Sequence, residues 1–385
     1  MKKGWERKTL GEVIQLFSGQ HIDAKDYNTE SRGVGYLTGP SDFGLISPIV
    51  SKWTEFPKVK AKRGDVLITV KGSGVGKINL LDEPEVAISR QLMAIRVTGA
   101  DPRFVYAFLG STLDHFQTES TGAAIPGVSR EQVLGLQIPI PPLPEQHRIV
   151  GILDEAFAGL ATAKANAEKN LHNARALFES HLQSVFSQRG KGWVEKKVSE
   201  IAKHSLGKML DKAKNKGEPQ PYLRNINVRW FTFDLSNTLE MPFLPSEVEK
   251  YTAIKGDVLI CEGGYPGRAA IWSEDNPIYF QKALHRVRFH EPEHNKWFVY
   301  YLSAQDSNGE LKQHFSGTGI QHFTGEVLAR FTIPVPPLPE LRRAVAKFDS
   351  LSSETQRLAA IYQQKLTALE ALKKSLLHQA FSGEL

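Results

Sequence analysis

KGSGVGKI, from Lys71 to Ile78, has the texture of a phosphate-binding loop, and GGYPGRAAI, from Gly263, repeats its glycines around a basic residue. A nucleotide-binding loop needs a glycine five positions before Gly76 and a Ser or Thr after Lys77 to hold magnesium. The chain has Lys71 and Ile78 there, so as a nucleotide site the stretch fails. What the two stretches share is a tight glycine turn presenting Lys77 in one and Arg268 in the other, either as a structural hairpin or as a DNA contact. Other chemistry fares no better. Glu195-Lys196-Lys197 offers an ExK with no Pro-Asp before it, and the Pro-Pro pairs lack the Asp or Asn and the aromatic that hold a base for amino-methylation. Twelve histidines are mostly scattered, apart from the neighbourhoods of His285 with His290 and His314 with His322, and none stands in an HExxH spacing. With one cysteine, Cys261, neither an internal disulfide nor a Cys-based zinc cage can form, which fits a reducing compartment. No cofactor and no metal are expected.

Charge is the stronger hint. The net charge of +6 is modest for 385 residues, but Lys196 to Arg229 holds nine basic residues against three acidic ones, and Lys58 to Lys77 holds six against Asp65 alone. Such patches suit a phosphate backbone, although solvated lysine faces look the same in sequence. The N-terminal MKKGWERKTLGEV is followed by no apolar run, and no window approaches the ~20 apolar residues needed to span a bilayer. Secretion and membrane insertion are disfavoured, and a cytoplasmic location is expected.

The elements that must position the turns are duplicated. IPIPPLPEQHR at Ile138 returns as IPVPPLPELRR at Ile333, 195 residues later. WERKTLGEV at Trp5 is echoed by WVEKKVSEI at Trp193, GDVLI recurs at Gly64 and Gly256, and FVYAFL at Phe104 matches FVYYLS at Phe298. GAAIPGVS at Gly122 likewise matches GTGIQHFT at Gly317. Each copy begins with a stretch rich in Gly, Pro, aromatics and short apolar runs, which predicts a mixed domain with many short strands. Each ends in a proline-free run that predicts a long helix of roughly 60 to 65 Å at ~1.5 Å per residue.

In the first helix apolar or small residues fall at Ile149, Leu153, Ala156, Leu160, Ala163 and Ala167, then at Leu171, Ala174, Phe178, Leu182 and Val185, a heptad seam with one stutter. The second helix carries a rougher seam through Val345, Phe348, Leu351, Leu358, Ile361, Leu366, Leu369, Leu372, Leu376 and Ala380. Two seams of matching length predict that the helices pair. Pro144 and Pro339 stand where a first helical turn tolerates proline, with Glu145 and Glu340 set against the positive end of the helix dipole. The proline stretch is read as a rigid joint between domain and helix. A polyproline ligand would have no reason to fall at the same junction twice.

With these features the chain resembles the specificity subunit of type I restriction-modification systems over its whole length. The resemblance rests on the two IPxPPLPE helical openings, on WVEKKVSEI opening the second domain, and on YLTGPSDF at Tyr36, GDVLITVKGSGVGKI at Gly64, YLRNINV at Tyr222 and GDVLICEGGYPGRAAI at Gly256. It implies an α+β protein with two mixed α/β target-recognition domains in tandem, at 1–142 and 191–337. Two long antiparallel coiled-coil regions, at 143–190 and 338–385, would relate them by a pseudo-two-fold axis. Each domain would read one half of an asymmetric bipartite target on double-stranded DNA, with the coiled coil setting the spacer. The resemblance further implies two methyltransferase subunits docked on the helices and motor-nuclease subunits joining through the complex. This chain would then be a non-catalytic subunit.

Base readout favours Arg or Lys for guanine and Asn or Gln for adenine, with phosphate ligands around them. In the first domain the candidates are Lys71, Ser73 and Lys77 on the glycine turn, and Ser89, Arg90 and Gln91 in AISRQLMAIRV. In the second they are Arg224, Asn225 and Asn227 in YLRNINV, Tyr265 and Arg268 on the turn, and Gln281, Lys282 and His285 in YFQKALHRV. Arg90-Gln91 and Gln281-Lys282 are expected at similar points of the two copies. Each candidate is a base reader, a phosphate contact or a plain surface residue. A different class of function, a coiled-coil scaffold for protein or RNA built on the same repeat, fits the residues too.

Overall fold

A computed structural model of the chain describes residues 4–72, 74–112, 116, 127–211, 213 and 215–385. The chain forms two compact units, Met1–Glu168 with Gln364–Leu385, and Lys169–Gln363.

The first unit contains two four-stranded sheets. One runs Ile14–Ser18, Leu92–Val97, Val66–Thr69, Ile78–Leu80, with every pairing antiparallel. The other runs Trp53–Thr54, Val34–Leu37, Glu85–Ile88, Lys60–Lys62, and its central pair is parallel. The second unit repeats both. Ala202–Leu206, Leu284–Phe289, Val258–Cys261 and Ala269–Ile271 form its antiparallel sheet. Leu239–Phe243, Glu218–Leu223, Ile278–Phe280 and Thr252–Ala253 form its mixed one, again with a parallel centre.

The recurrence of GDVLI has a physical reason. The strand after each Asp is buried on both faces, so alternate residues serve different cores. Val66 and Ile68 enter one cluster and Leu67 another, just as Val258 and Ile260 separate from Leu259 and Cys261. The Asp holds the corner before the strand. Asp65 accepts from the Lys62 amide at 2.8 Å and takes Arg96 at 3.0 and 2.8 Å. Asp257 accepts from the Ile254 amide at 2.8 Å and takes Arg288 at 2.7 and 2.6 Å. Both carboxylates are buried, and the ion pair raises both guanidinium pKa values. A two-pronged, charge-assisted pair satisfies a buried carboxylate, which is why a Gly-Asp precedes each apolar run.

The proline stretches are short strands followed by helices. Gln137–Ile140 pairs with Glu6–Thr9, placing Pro139 opposite Arg7, and Thr332–Val335 pairs with Val194–Lys197 in the same register. Proline is tolerated because each is a two-stranded ribbon with a free edge. The long helices then run over Leu143–Ser187 and Leu338–Ser382, with Pro144 and Pro339 as their second residues. Each has 45 residues, about 67 Å at ~1.5 Å per residue.

Within each unit the two helices pair. In the first, Arg148 donates to the Leu385 carbonyl at 2.7 Å and Lys164 meets Glu370 at 2.7 Å, so numbers rise on one helix as they fall on the other. Ile149 and Leu153 share a core there with Leu377 and Ala380. In the second, Leu182 and Phe186 share a core with Leu341 and Phe348. Every seam position of the first helix is buried or half-buried. The second helix needs a correction, because Ile361 and Leu372 are exposed. Its buried or half-buried rows are Phe348, Thr355, Tyr362, Leu369, Leu376, an unbroken heptad line, and Ser352, Ala359, Leu366, Ala380, a second line interrupted by the exposed Lys373; 361 and 372 fall on neither.

Candidate nucleic-acid interface

Four loops meet at one end of the sheets in each unit. The first is the glycine turn. In unit one the Thr69 amide donates to the Lys77 carbonyl at 2.8 Å and the Gly76 amide to Thr69 at 2.9 Å. In unit two the Cys261 amide donates to Arg268 at 2.9 Å and the Gly267 amide to Cys261 at 2.9 Å. Gly76 and Gly267 both have φ near the left-handed region, +84° and +83°, so the same hairpin ends on a basic residue twice. The side chains behave differently. Lys77 is exposed. Arg268 lies 4.9 Å over the Tyr265 ring and donates to the Asn225 carbonyl at 3.0 Å, while Tyr265 donates to Asp306 at 2.9 Å.

The second loop follows the parallel strand. Asp42 accepts from the Thr38 amide at 2.6 Å and closes the turn Pro40–Asp42, and Asn227 accepts from the Arg224 amide at 2.9 Å and closes Asn225–Asn227. Each turn leans on its glycine hairpin. A Cβ on Gly74 would stand 2.6 Å from Pro40 Cγ, and the Asn225 amide group donates to the Gly263 carbonyl at 3.0 Å.

The third loop is the polar stretch before the next long strand. The Ser89 amide donates to Leu37 at 3.0 Å and accepts back at its carbonyl from Leu92, at 2.9 Å. The Gln281 amide donates to Leu223 at 3.1 Å and its carbonyl accepts from Leu284 at 2.9 Å. Ser89 therefore matches Gln281 and Arg90 matches Lys282, one position away from the pairing of Arg90-Gln91 with Gln281-Lys282. The fourth loop escaped sequence reasoning. The Gly19 and Gly207 amides donate to Leu92 and Leu284, and a Cβ on either glycine would come within 2.1 or 2.3 Å of the Ser89 or Gln281 carbonyl. Gln20 and Lys208 follow. A glycine standing before a polar residue at the same point of both copies, SGQ and LGK, was the signal available.

Of the nominated residues, Lys71, Lys77, Arg90, Gln91, Tyr265 and Lys282 are exposed, and Arg224, Asn225, Arg268 and Gln281 are half-buried. Ser73 lies outside the described residues. Ser89, Asn227 and His285 are placed inside the units. The Ser89 hydroxyl donates to the Thr38 carbonyl, and the Asn227 side chain donates to the Asp234 and Asn237 carbonyls at 2.9 and 3.0 Å. Their polar atoms hold the loops together rather than face outward. His285 is 1% exposed, and burial pushes its pKa down from 6.5 to about 4, with His204 nearby adding to the effect. It is a neutral core histidine. Arg224 is tied to Asn237 at 2.6 and 3.2 Å, and Lys208 is buried against Glu247 at 2.6 Å with Phe243 beneath it.

Burial also raises the Cys261 thiol to about 11, so it stays protonated. Among the described residues no group of three or more His, Cys, Asp or Glu could hold a metal, and no helix is long and apolar enough to cross a membrane. A cavity of about 610 Å³ in unit one, bounded by Arg7, Ser111, Lys373, His378 and Phe381, contains none of the nominated side chains.

Against known sequences, the chain matches the type I restriction modification DNA specificity domain over residues 2–170 and again over 190–371. The chain belongs to this family. The MjaVIII specificity subunit of Methanocaldococcus jannaschii is 21% identical over 99% of this chain and 93% of its own length. The EcoKI specificity subunit of Escherichia coli is 23% identical over 73% of this chain and 65% of its own. Two solved structures share the fold. One, from a study of complex assembly and conformational transition of the type I R-M system, superposes with a TM-score of 0.81 at 21% identity, covering 100% of this chain and 99% of the other. The HsdS subunit from Thermoanaerobacter tengcongensis gives 0.60 at 20% identity, covering 100% and 98%. The chain is thus a type I specificity subunit with two recognition domains and two long helices.

Proposed function

We propose that this specificity subunit reads an asymmetric, bipartite sequence on double-stranded DNA, one half with the loops of 1–142 and the other with those of 191–337. The observation that carries the reading is the four-loop end built twice on matching backbone with different polar residues at matching points. Gln20 stands against Lys208, Pro40 against Asn225, Lys77 against Arg268 and Arg90 against Lys282. Equal backbone brings both ends to DNA in the same manner, and unequal side chains make the two half-sites different.

The helical regions, 143–190 and 338–385, set the spacing between half-sites, relate the domains by a pseudo-two-fold axis and dock two methyltransferase subunits, with motor-nuclease subunits joining the complex. Methylation and cleavage belong to those partners, and this chain makes no covalent step. The work would be done in the cytoplasm. Co-expression with the methyltransferase subunit, followed by mapping of methylated bases across the host genome, tests the reading. The expected result is one bipartite motif with unlike halves and a fixed gap. A complex that assembles and methylates no bipartite motif refutes it.

A further inference from the structure

Beside the cationic loops of unit one stands an apolar structure that charge recognition does not use. After the turn Pro40–Asp42 the chain makes a short finger. Phe43 and Pro48 face each other in an antiparallel bridge, the Gly44 amide donates to Ser47 at 3.1 Å, and the Ile49 amide donates back to Asp42 at 2.8 Å. Its corner residues are Leu45 and Ile46, where turns ordinarily carry Gly, Asn, Asp or Ser. Leu45 is 91% exposed, Ile46 56% and Ile49 69%.

The finger is held firmly. The Leu80 amide donates to the Ile46 carbonyl at 2.8 Å, the Ser47 hydroxyl to the Leu80 carbonyl at 2.9 Å, and the buried Asn79 side chain to the Gly44 carbonyl at 3.2 Å. Three large aliphatic side chains are thus carried in water on a fixed backbone. They stand on the edge strand Ile78–Leu80, which begins beside the exposed Lys77, and the same segment presses Pro40 onto Gly74 of the glycine turn. Exposed Lys71, Lys77 and Arg90 belong to the adjoining loops. A cationic surround suits a polyanion, and the apolar surface that a polyanion offers is the faces and edges of its bases.

We propose that Leu45, with Ile46 behind it, is a wedge that enters the DNA at the half-site read by unit one and unstacks a base step there. The proposal rests on the DNA-reading function above and assigns part of it to deformation rather than hydrogen bonding. Leu and Ile are among the side chains that other proteins insert between base steps, and the cost of unstacking depends on the step, so the wedge contributes specificity without a base-edge contact. Unit two builds the same hairpin, with Val228 paired to Phe233 and the Asp234 amide donating to the Asn227 carbonyl at 2.8 Å, but finishes its tip differently. Its matching segment, Val228–Phe233, also bonds the edge strand, Phe231 amide to Ala269 carbonyl at 3.2 Å, but Phe231 turns inward onto Phe178 and Tyr300, with ring centres 5.9 and 5.3 Å away.

The test uses the full chain in complex with its methyltransferase subunits, on duplexes of the mapped target carrying 2-aminopurine at successive positions other than the methylated base. The parent complex is expected to raise fluorescence at one step of the unit-one half-site and at none of the other. Leu45→Ser should abolish that rise and weaken binding at least tenfold, with the salt dependence of affinity unchanged because no phosphate contact is lost. Thermal unfolding of the variant should match the parent, since the side chain is in solvent. Parent-like fluorescence and affinity within twofold for both Leu45→Ser and the Leu45→Ser, Ile46→Ser pair overturn the wedge. If Lys77→Ala still weakens binding and flattens its salt dependence, DNA reading by these loops stands without it. Loss of the methyltransferase subunits from purified Leu45→Ser would make the finger a protein contact and equally overturn the wedge. A parent complex that cannot tell the target from scrambled duplex removes both readings.

Discussion

The two units build the same end of the same sheets and finish it differently. In unit one the loop cations Lys71, Lys77 and Arg90 stand in solvent, the position after the close-packed glycine is Gln20, and an aliphatic finger projects. In unit two Arg268 is clasped by Tyr265 and Asn225, Arg224 by Asn237 and Lys208 by Glu247, and the finger's counterpart is folded onto aromatic rings. The backbone is the shared part, and the two ends differ in side chains that the backbone does not need. In unit two the cations are pre-ordered by these partners, whereas in unit one they stand on long exposed stems, which would lose more freedom in any contact.

Changes that strike the shared part should affect both units alike and most strongly. Asp65→Ala and Asp257→Ala each leave a main-chain amide and a guanidinium without their carboxylate, and should each cost on the order of 3 kcal/mol of unfolding free energy in chemical denaturation. A large loss for one and none for the other would break the equivalence of the repeats.

Next comes a difference in acid sensitivity. His285 pairs with Ile260 in its sheet where unit one has Met93 opposite Ile68. The folded chain keeps His285 neutral down to about 4, whereas the unfolded chain protonates it near 6.5. The stability this neutral form permits is complete above 6.5 and is lost as pH falls toward 4, by roughly 3 kcal/mol. His285→Met, which installs the other unit's residue, should flatten stability between those pH values, as read from denaturant midpoints at matched pH. An unchanged slope would place the acid sensitivity elsewhere.

Smaller effects sharpen the contrast between readers. Arg90→Ala should relax or abolish recognition of one half-site only, by about 1 to 3 kcal/mol if it reads a base, and Lys282→Ala should do so at the other half-site. Equal weakening on all DNA would make either one a phosphate contact. Smallest is Arg268→Lys. A lysine keeps the charge but cannot stack on Tyr265 and reach the Asn225 carbonyl together, so affinity should fall by about 1 kcal/mol. Lys77→Arg, at an exposed stem, should change affinity little in the same titration.

Much of the fold was legible because its signals are local. The steps of three and four from Ile149 to Val185 describe one helix face, and proline followed by Glu marks a helix start wherever it occurs. GDVLI announced a buried strand because five residues carry both the corner and the core. The candidate site was legible as loops and less so as residues. Ser89, Asn227 and His285 are ordinary contact types in sequence, but their polar atoms meet carbonyls, or a core, contributed from far along the chain. Ser89 reaches Thr38, 51 residues away. The one-residue shift that matches Arg90 with Lys282 came from hydrogen bonds to Leu37 and Leu223, which no alignment of short stretches displays. Ile361 and Leu372 misled because an apolar side chain states a preference for burial and not which face of a helix will find a partner.

What the sequence by itself determined was the duplication, the alternation of domain and helix, and the exclusion of nucleotide-loop and zinc-cage chemistry, since periodicity and spacing are properties of neighbours. Only the tertiary structure decided which polar groups face outward. That choice depends on which carbonyl, carboxylate or ring the fold brings within about 3 to 5 Å of each side chain, and those partners lie tens of residues away. Lys77 and Arg268 occupy the same place on the same hairpin; one meets solvent and the other a tyrosine.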